Sequence, residues 1–139
     1  MVQLIVGEKG KGKTKELLER VNNQVKTASG TICYLDKSTK HMFELNNKVR
    51  LINVSDFLIN NADQFAGFIL GIISQDHDLE QMYLDSFLKI SRTEDGDYVS
   101  LVQKLDEISK EFKVDFVLSV SLPANSVPAE IKDKVAVAL

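Results

Sequence analysis

The chain has no tryptophan, only two prolines and a single cysteine among its 139 residues. One cysteine excludes an internal disulfide, and Cys33 lies within the apolar run TICYL, so a packed thiol in a reducing, cytoplasmic setting is expected. A basic excess is also missing. The net charge of -3 offers no general attraction to nucleic acid. Long apolar runs are lacking as well: FAGFILGII at 65–73 falls well short of the ~20 residues that span a bilayer. The opening MVQLIV is followed by lysines, not by the longer apolar core and cleavage site of a signal peptide. The 7 phenylalanines and 3 tyrosines sit mostly in apolar runs, which argues against stacking platforms for bases. Tyr34 and Phe43 are the two that an adenine would meet, with core packing as the competing use.

What remains is an ordinary globular composition, 44% hydrophobic and 27% charged, sized for one core. No repeat or linker divides residues 1–139, and a single domain is expected. VQLIV at 2–6 reads as a buried strand, and Leu17, Leu18, Val21 and Val25 mark one face of a helix from Thr14 to about Lys26. Further strands are predicted at 31–35, 49–54, 82–85 and 114–120, with a last one in VAVAL. Helices are predicted over 56–74, capped by Ser55 or Asp56, through Leu101, Leu105, Ile108 and Phe112, and briefly over AEIKDK. The 56–74 helix is apolar around much of its circumference, which implies deep burial or use as a docking surface for a protein partner or a second copy. Alternating strands and helices imply an α/β fold of three layers, with a mainly parallel sheet of five or six strands flanked by helices.

The most specific signal is GEKGKGKT. Gly7, four residues, then Gly12, Lys13 and Thr14 reproduce the phosphate-loop pattern in full, with the strand before and the helix after that the pattern requires. Gly7, Gly10 and Gly12 let backbone N–H groups turn toward phosphate oxygens. In this pattern Lys13 reaches the β- and γ-phosphates and the Thr14 hydroxyl ligates magnesium, while the helix N-terminus adds partial positive charge. The whole segment Gly7, Glu8, Lys9, Gly10, Lys11, Gly12, Lys13, Thr14 and Lys15 is the expected nucleotide-binding stretch, with Lys9 and Lys11 either touching phosphate or solvated.

MYLDSFLKI, followed by LVQKLDEISKEFKVDFVLSVSL, resembles the RecA-like ATPases, in particular replicative helicases and clock-type ATPases. The resemblance covers residues 1–36 and 81–122. It implies ATP with Mg2+ as the ligand, a RecA-like strand order, and Asp85 as the carboxylate that holds the magnesium shell beside Thr14. It also implies that the polar end of VDFVLSVSL lies next to the phosphate loop, where the family commonly has a glutamine; Ser119 and Ser121 stand there instead. The family's catalytic glutamate after the second strand is absent, and Asp36 in YLDKSTKH is the nearby acid, one methylene shorter.

These departures imply slow or partner-stimulated hydrolysis, or a nucleotide-binding module without turnover. Glu8 replaces the extra lysine of the partition-type ATPases. Asn47-Lys48-Val49-Arg50 lacks the aspartate of a guanine-specific tetrad, which favours ATP over GTP. Arg20, Arg50 and Arg92 are the only arginines, too few for the lid of a small-molecule kinase, and Arg92 in a charged loop is expected to be solvated. A pilus-retraction ATPase would need a longer chain. Asp76-His77-Asp78 reads as a solvated connection, since three consecutive residues do not converge readily on one ion, and His41 reads as isolated.

Overall fold

A computed structural model of residues 1–139 has the expected alternation. β1 (Val2–Val6), α1 (Lys13–Gln24), β2 (Thr31–Asp36) and β3 (Arg50–Asn53) lead to α2 (Ala62–Ser74) and β4 (Leu79–Leu84). The short α3 (Phe87–Ile90), α4 (Tyr98–Phe112), β5 (Asp115–Val120) and β6 (Val135–Ala138) complete the chain. All six strands form one sheet in the order β3-β2-β4-β5-β1-β6. Every neighbouring pair is parallel, so β5 stands between the strand that leads into the glycine loop and the strand that ends before Asp85.

Side chains alternate across each strand, and that period of two divides the core. Val2, Leu4 and Val6 of β1, Cys33 and Leu35 of β2, and Phe116 and Leu118 of β5 enter the larger core under α2, α3 and α4. Ile5, Tyr34, Tyr83 and Val117 enter the smaller core under α1, against Leu17, Leu18 and Val21. Three layers result, with the two faces of the sheet covered by helices, as strands apolar on both sides require. No helix is long and apolar enough to cross a membrane.

Several boundaries differ from the sequence reading. α2 begins at Ala62, not at 56, because Asn61 caps it by accepting the Gln64 N–H at 2.9 Å while the Gln64 side chain accepts the Asn60 N–H at 2.7 Å. The pair is a variant of the capping box, in which the return bond reaches the residue before the cap and not the cap itself. Ser55 and Asp56 belong instead to a 3-10 turn over Val54–Asp56, started by the Asn53 side chain. The apolar circumference of α2 is used internally: Phe65, Ala66, Ile69, Ile72 and Ile73 are buried, and Phe68 and Leu70 pack partly against the same core. AEIKDK forms 3-10 turns, and β4 starts at Leu79, three residues earlier than the apolar run suggests.

Phe65 is fully buried and meets Phe87 edge-on at 6.2 Å, whereas Leu58 is 93% exposed. Phe65→Ala should therefore lower stability by about 3–5 kcal/mol in urea unfolding. Leu58→Ala should stay within about 0.5 kcal/mol of wild type.

Candidate functional site

Strand register assembles the site. Tyr34 pairs with Tyr83, and Tyr83 with Val117, across three neighbouring parallel strands. Two residues further along each strand, on the face that carries α1, stand Asp36, Asp85 and Ser119. Because α1 packs on that face, its first residues meet the row. Thr14 Oγ1 donates to Asp85 Oδ1 at 3.2 Å, Ser119 Oγ donates to the same oxygen at 2.7 Å, and the Tyr34 hydroxyl donates to Oδ2 at 2.7 Å. The Ser86 N–H adds a fourth bond at 2.9 Å. Asp85 itself is held in line by its N–H, which donates to the Leu35 carbonyl at 2.8 Å.

The loop between β1 and α1 arches over this row. Gly10 and Gly12 have φ of 86° and 93°, a region that L-residues with a Cβ enter only under strain. Gly7 is needed for a different reason. A Cβ there would stand 3.1 Å from the Leu139 carbonyl oxygen, whose residue is tied to Val6 by a 2.8 Å backbone bond. Lys13 is buried, and its ammonium donates to the Glu8 carbonyl at 3.0 Å. Burial lowers the Lys13 pKa, opposed by the attraction of Asp85.

Asp36 is 2% exposed. Its Oδ1 accepts the Lys37 N–H at 2.7 Å, and its Oδ2 is buried with no hydrogen-bond partner. Desolvation, then the nearby Asp85 charge, push its carboxyl above the ordinary range against the opposing effects of the Lys37 N–H, His41 and the Lys37 charge. Burial and Asp85 likewise push the Tyr34 phenol far up, so it remains a donor to Asp85. The whole opens into a cleft of about 640 Å³ lined by Lys9, Lys13, Lys37, Lys40 and Lys89 as well as by the carboxylates.

Of the residues singled out from the sequence, Lys9, Gly10, Gly12, Lys13, Thr14, Asp36, Asp85, Ser119 and Ser121 line this cleft. Glu8 contributes its carbonyl to Lys13, Lys11 is solvent-exposed, and Lys15 faces a neighbouring groove beside Glu19 and Asn22. Ser119 contacts Asp85, whereas Ser121 is exposed at the cleft rim. Tyr34 is core, and Phe43 is 92% exposed. Arg92 donates to the Ile59 carbonyl at 3.2 Å, and Asp76 pairs with Arg50 at 3.2 Å. Burial raises the Cys33 thiol to about 11, as suits packing. His41 is the residue that the sequence reading misplaced. It is not isolated but lines the cleft, with a ring nitrogen within 4.8 Å of carboxylate oxygens of Asp36 and Asp85.

A six-stranded parallel sheet flanked by helices, with a glycine loop after its first strand and a carboxylate after a nearby one, is a three-layer α/β fold. No protein-family model matches the chain, and no curated protein sequence matches it. Among solved structures 102 chains match. One is a KaiC-like protein from the hyperthermophilic archaeon Pyrococcus horikoshii OT3, at a TM-score of 0.66 and 15% identity, over 95% of this chain and 67% of that one. At that identity the likeness establishes the fold.

The raised Asp36 pKa has a definite sign for stability. A folded state that holds the proton more tightly than the unfolded chain gains stability fully below the unfolded carboxyl's pKa, and loses it as pH rises through the folded value. Asp36→Asn stays neutral throughout. In metal-free buffer its urea midpoint should therefore gain on that of wild type as pH rises above the ordinary carboxyl range near about 4. A gap that does not change with pH would show that Asp36 ionises without penalty.

Proposed function

We propose that the chain binds ATP with Mg2+ at the GEKGKGKT loop and hydrolyses it slowly, or only when a partner completes the site. The observation that carries this reading is the contact of Thr14 with Asp85 at 3.2 Å beneath the glycine loop. The donor set fits the ion: a hydroxyl and two carboxylates are hard oxygen ligands, and the unpartnered Asp36 Oδ2 is a buried oxygen with capacity to spare. Thr14 and Asp85 would hold Mg2+, which when bound neutralises phosphate charge and orients the polyphosphate.

The chain's own groups divide the remaining work. Lys13 exchanges the Glu8 carbonyl for phosphate oxygens, and the loop N–H groups with the α1 N-terminus accept the rest of the charge. Ser119 and Tyr34 fix the rotamer of Asp85. Asp36 is the acid placed to accept a proton from water, but its side chain is short and Oδ1 is already held by the Lys37 N–H. That restraint is the reason for slow turnover. It also favours a second reading, binding without hydrolysis.

Calorimetry with Mg-ATP should give saturable binding by wild type and at least about tenfold weaker binding by Lys13→Ala, the loss of one charge-assisted contact or more. Mg-GTP should bind less tightly. Failure of folded wild type to bind Mg-ATP would end the proposal. Phosphate release that Asp36→Asn abolishes while binding persists would identify an ATPase, and binding without release would identify the module.

A further inference from the structure

We propose that Asp36, His41 and Asp85 form a binding site for a first-row transition-metal dication of the Zn2+ and Co2+ class, which the chain takes up without nucleotide. The inference does not rest on the ATP reading. It starts from one ring nitrogen and two carboxylate oxygens, from three different residues, that all lie within 4.8 Å of one another. Ligands bonded tetrahedrally to one such ion at about 2.0–2.2 Å lie about 3.3–3.6 Å apart, so side-chain rotations that draw the atoms together by about 1 Å would close the trio.

Two independent features point to a cation there. Asp36 is buried, yet its Oδ2 finds no N–H or O–H donor. A metal ion is a partner that such an oxygen lacks within the protein. The second feature is the contact between His41 and Glu44. The 3-10 turn over Met42–Glu44 returns the Glu44 carboxylate to His41 Nδ1 at 2.9 Å. With Nδ1 as the donor, Nε2 keeps the lone pair that a metal requires, the carboxylate–histidine–metal relationship by which ligating imidazoles are commonly fixed.

Imidazole sets the class of ion. Mg2+ prefers oxygen ligands throughout, whereas one nitrogen with two carboxylates suits Zn2+, Co2+ and their neighbours. Three protein ligands leave a coordination position for water or for a ligand oxygen. Lys13, Lys37 and Lys40 also line the cleft and oppose a cation. Lys37 and Lys40 are exposed to solvent, which screens them, while the two carboxylates are buried. The other histidine, His77, serves as an internal control, because its neighbour Asp76 is already paired with Arg50.

The test uses the metal-free full chain, without nucleotide, titrated with Co2+ and followed by its visible absorption and by calorimetry. Wild type should bind one equivalent, His41→Ala and Asp36→Asn should each lose at least about tenfold in affinity, and Glu44→Ala, on the exposed side of the turn, should lose a comparable factor. His77→Ala should match wild type, and an approximately hundredfold excess of Mg2+ should leave the Co2+ bands in place. Equal Co2+ affinity in wild type, His41→Ala and Glu44→Ala would overturn the assignment. So would loss of binding in His77→Ala, or displacement by Mg2+.

Discussion

The carboxylate of Asp85 is the point on which the structure turns. It is buried at the end of β4, where an ionised group without partners would be strongly disfavoured. Four donors offset that cost: Thr14 from α1, Ser119 from β5, Tyr34 from β2 and the backbone of Ser86. Each comes from a different element, so the same bonds that satisfy the charge also fix those elements against one another. The helix start, and with it the glycine loop, is located by this carboxylate as much as by the apolar face of α1.

Ser86 shows what the arrangement costs locally. It is a non-glycine residue at φ 53°, in the left-handed region, which disfavours L-residues by roughly 1–2 kcal/mol. That conformation directs its N–H to both Asp85 Oδ1 and Ser119 Oγ, each at 2.9 Å. The backbone strain thus sits where it completes the coordination of a buried charge, a position at which strained residues tend to collect.

Local patterns were readable from sequence wherever neighbours along the chain determine them. The glycine loop, the strand and helix beside it and the alternation that implies a parallel sheet all depend on local spacing along the chain. Asp85 was legible because it ends an apolar strand. The choice between Ser119 and Ser121 was not, since it depends on the register of β5 against β4, which a single strand does not encode. The start of α2 was obscured by two competent capping sequences, Asn53-Val54-Ser55-Asp56 and Asn61-Ala62-Asp63-Gln64; only tertiary packing selects the second. His41 was missed for a similar reason. Its place in the cleft is set by a loop turn that brings a position beyond β2 back over Asp36, and no periodicity signals that return.

Charge is organised at the cleft in a way that the net value of -3 conceals. Asp36 and Asp85 are buried at the strand ends, while Lys9, Lys37, Lys40 and Lys89 are exposed around the cleft together with Glu94 and Asp95. A simple anion would be drawn to the exposed lysines and repelled by the buried carboxylates, whereas a cation held at the carboxylates faces lysines that solvent screens. Buried negative charge and exposed charge of both signs are thus brought together in one cleft. The sheet places the buried carboxylates through register, and the loops place the exposed charges through composition, so the two arise from different levels of the same sequence.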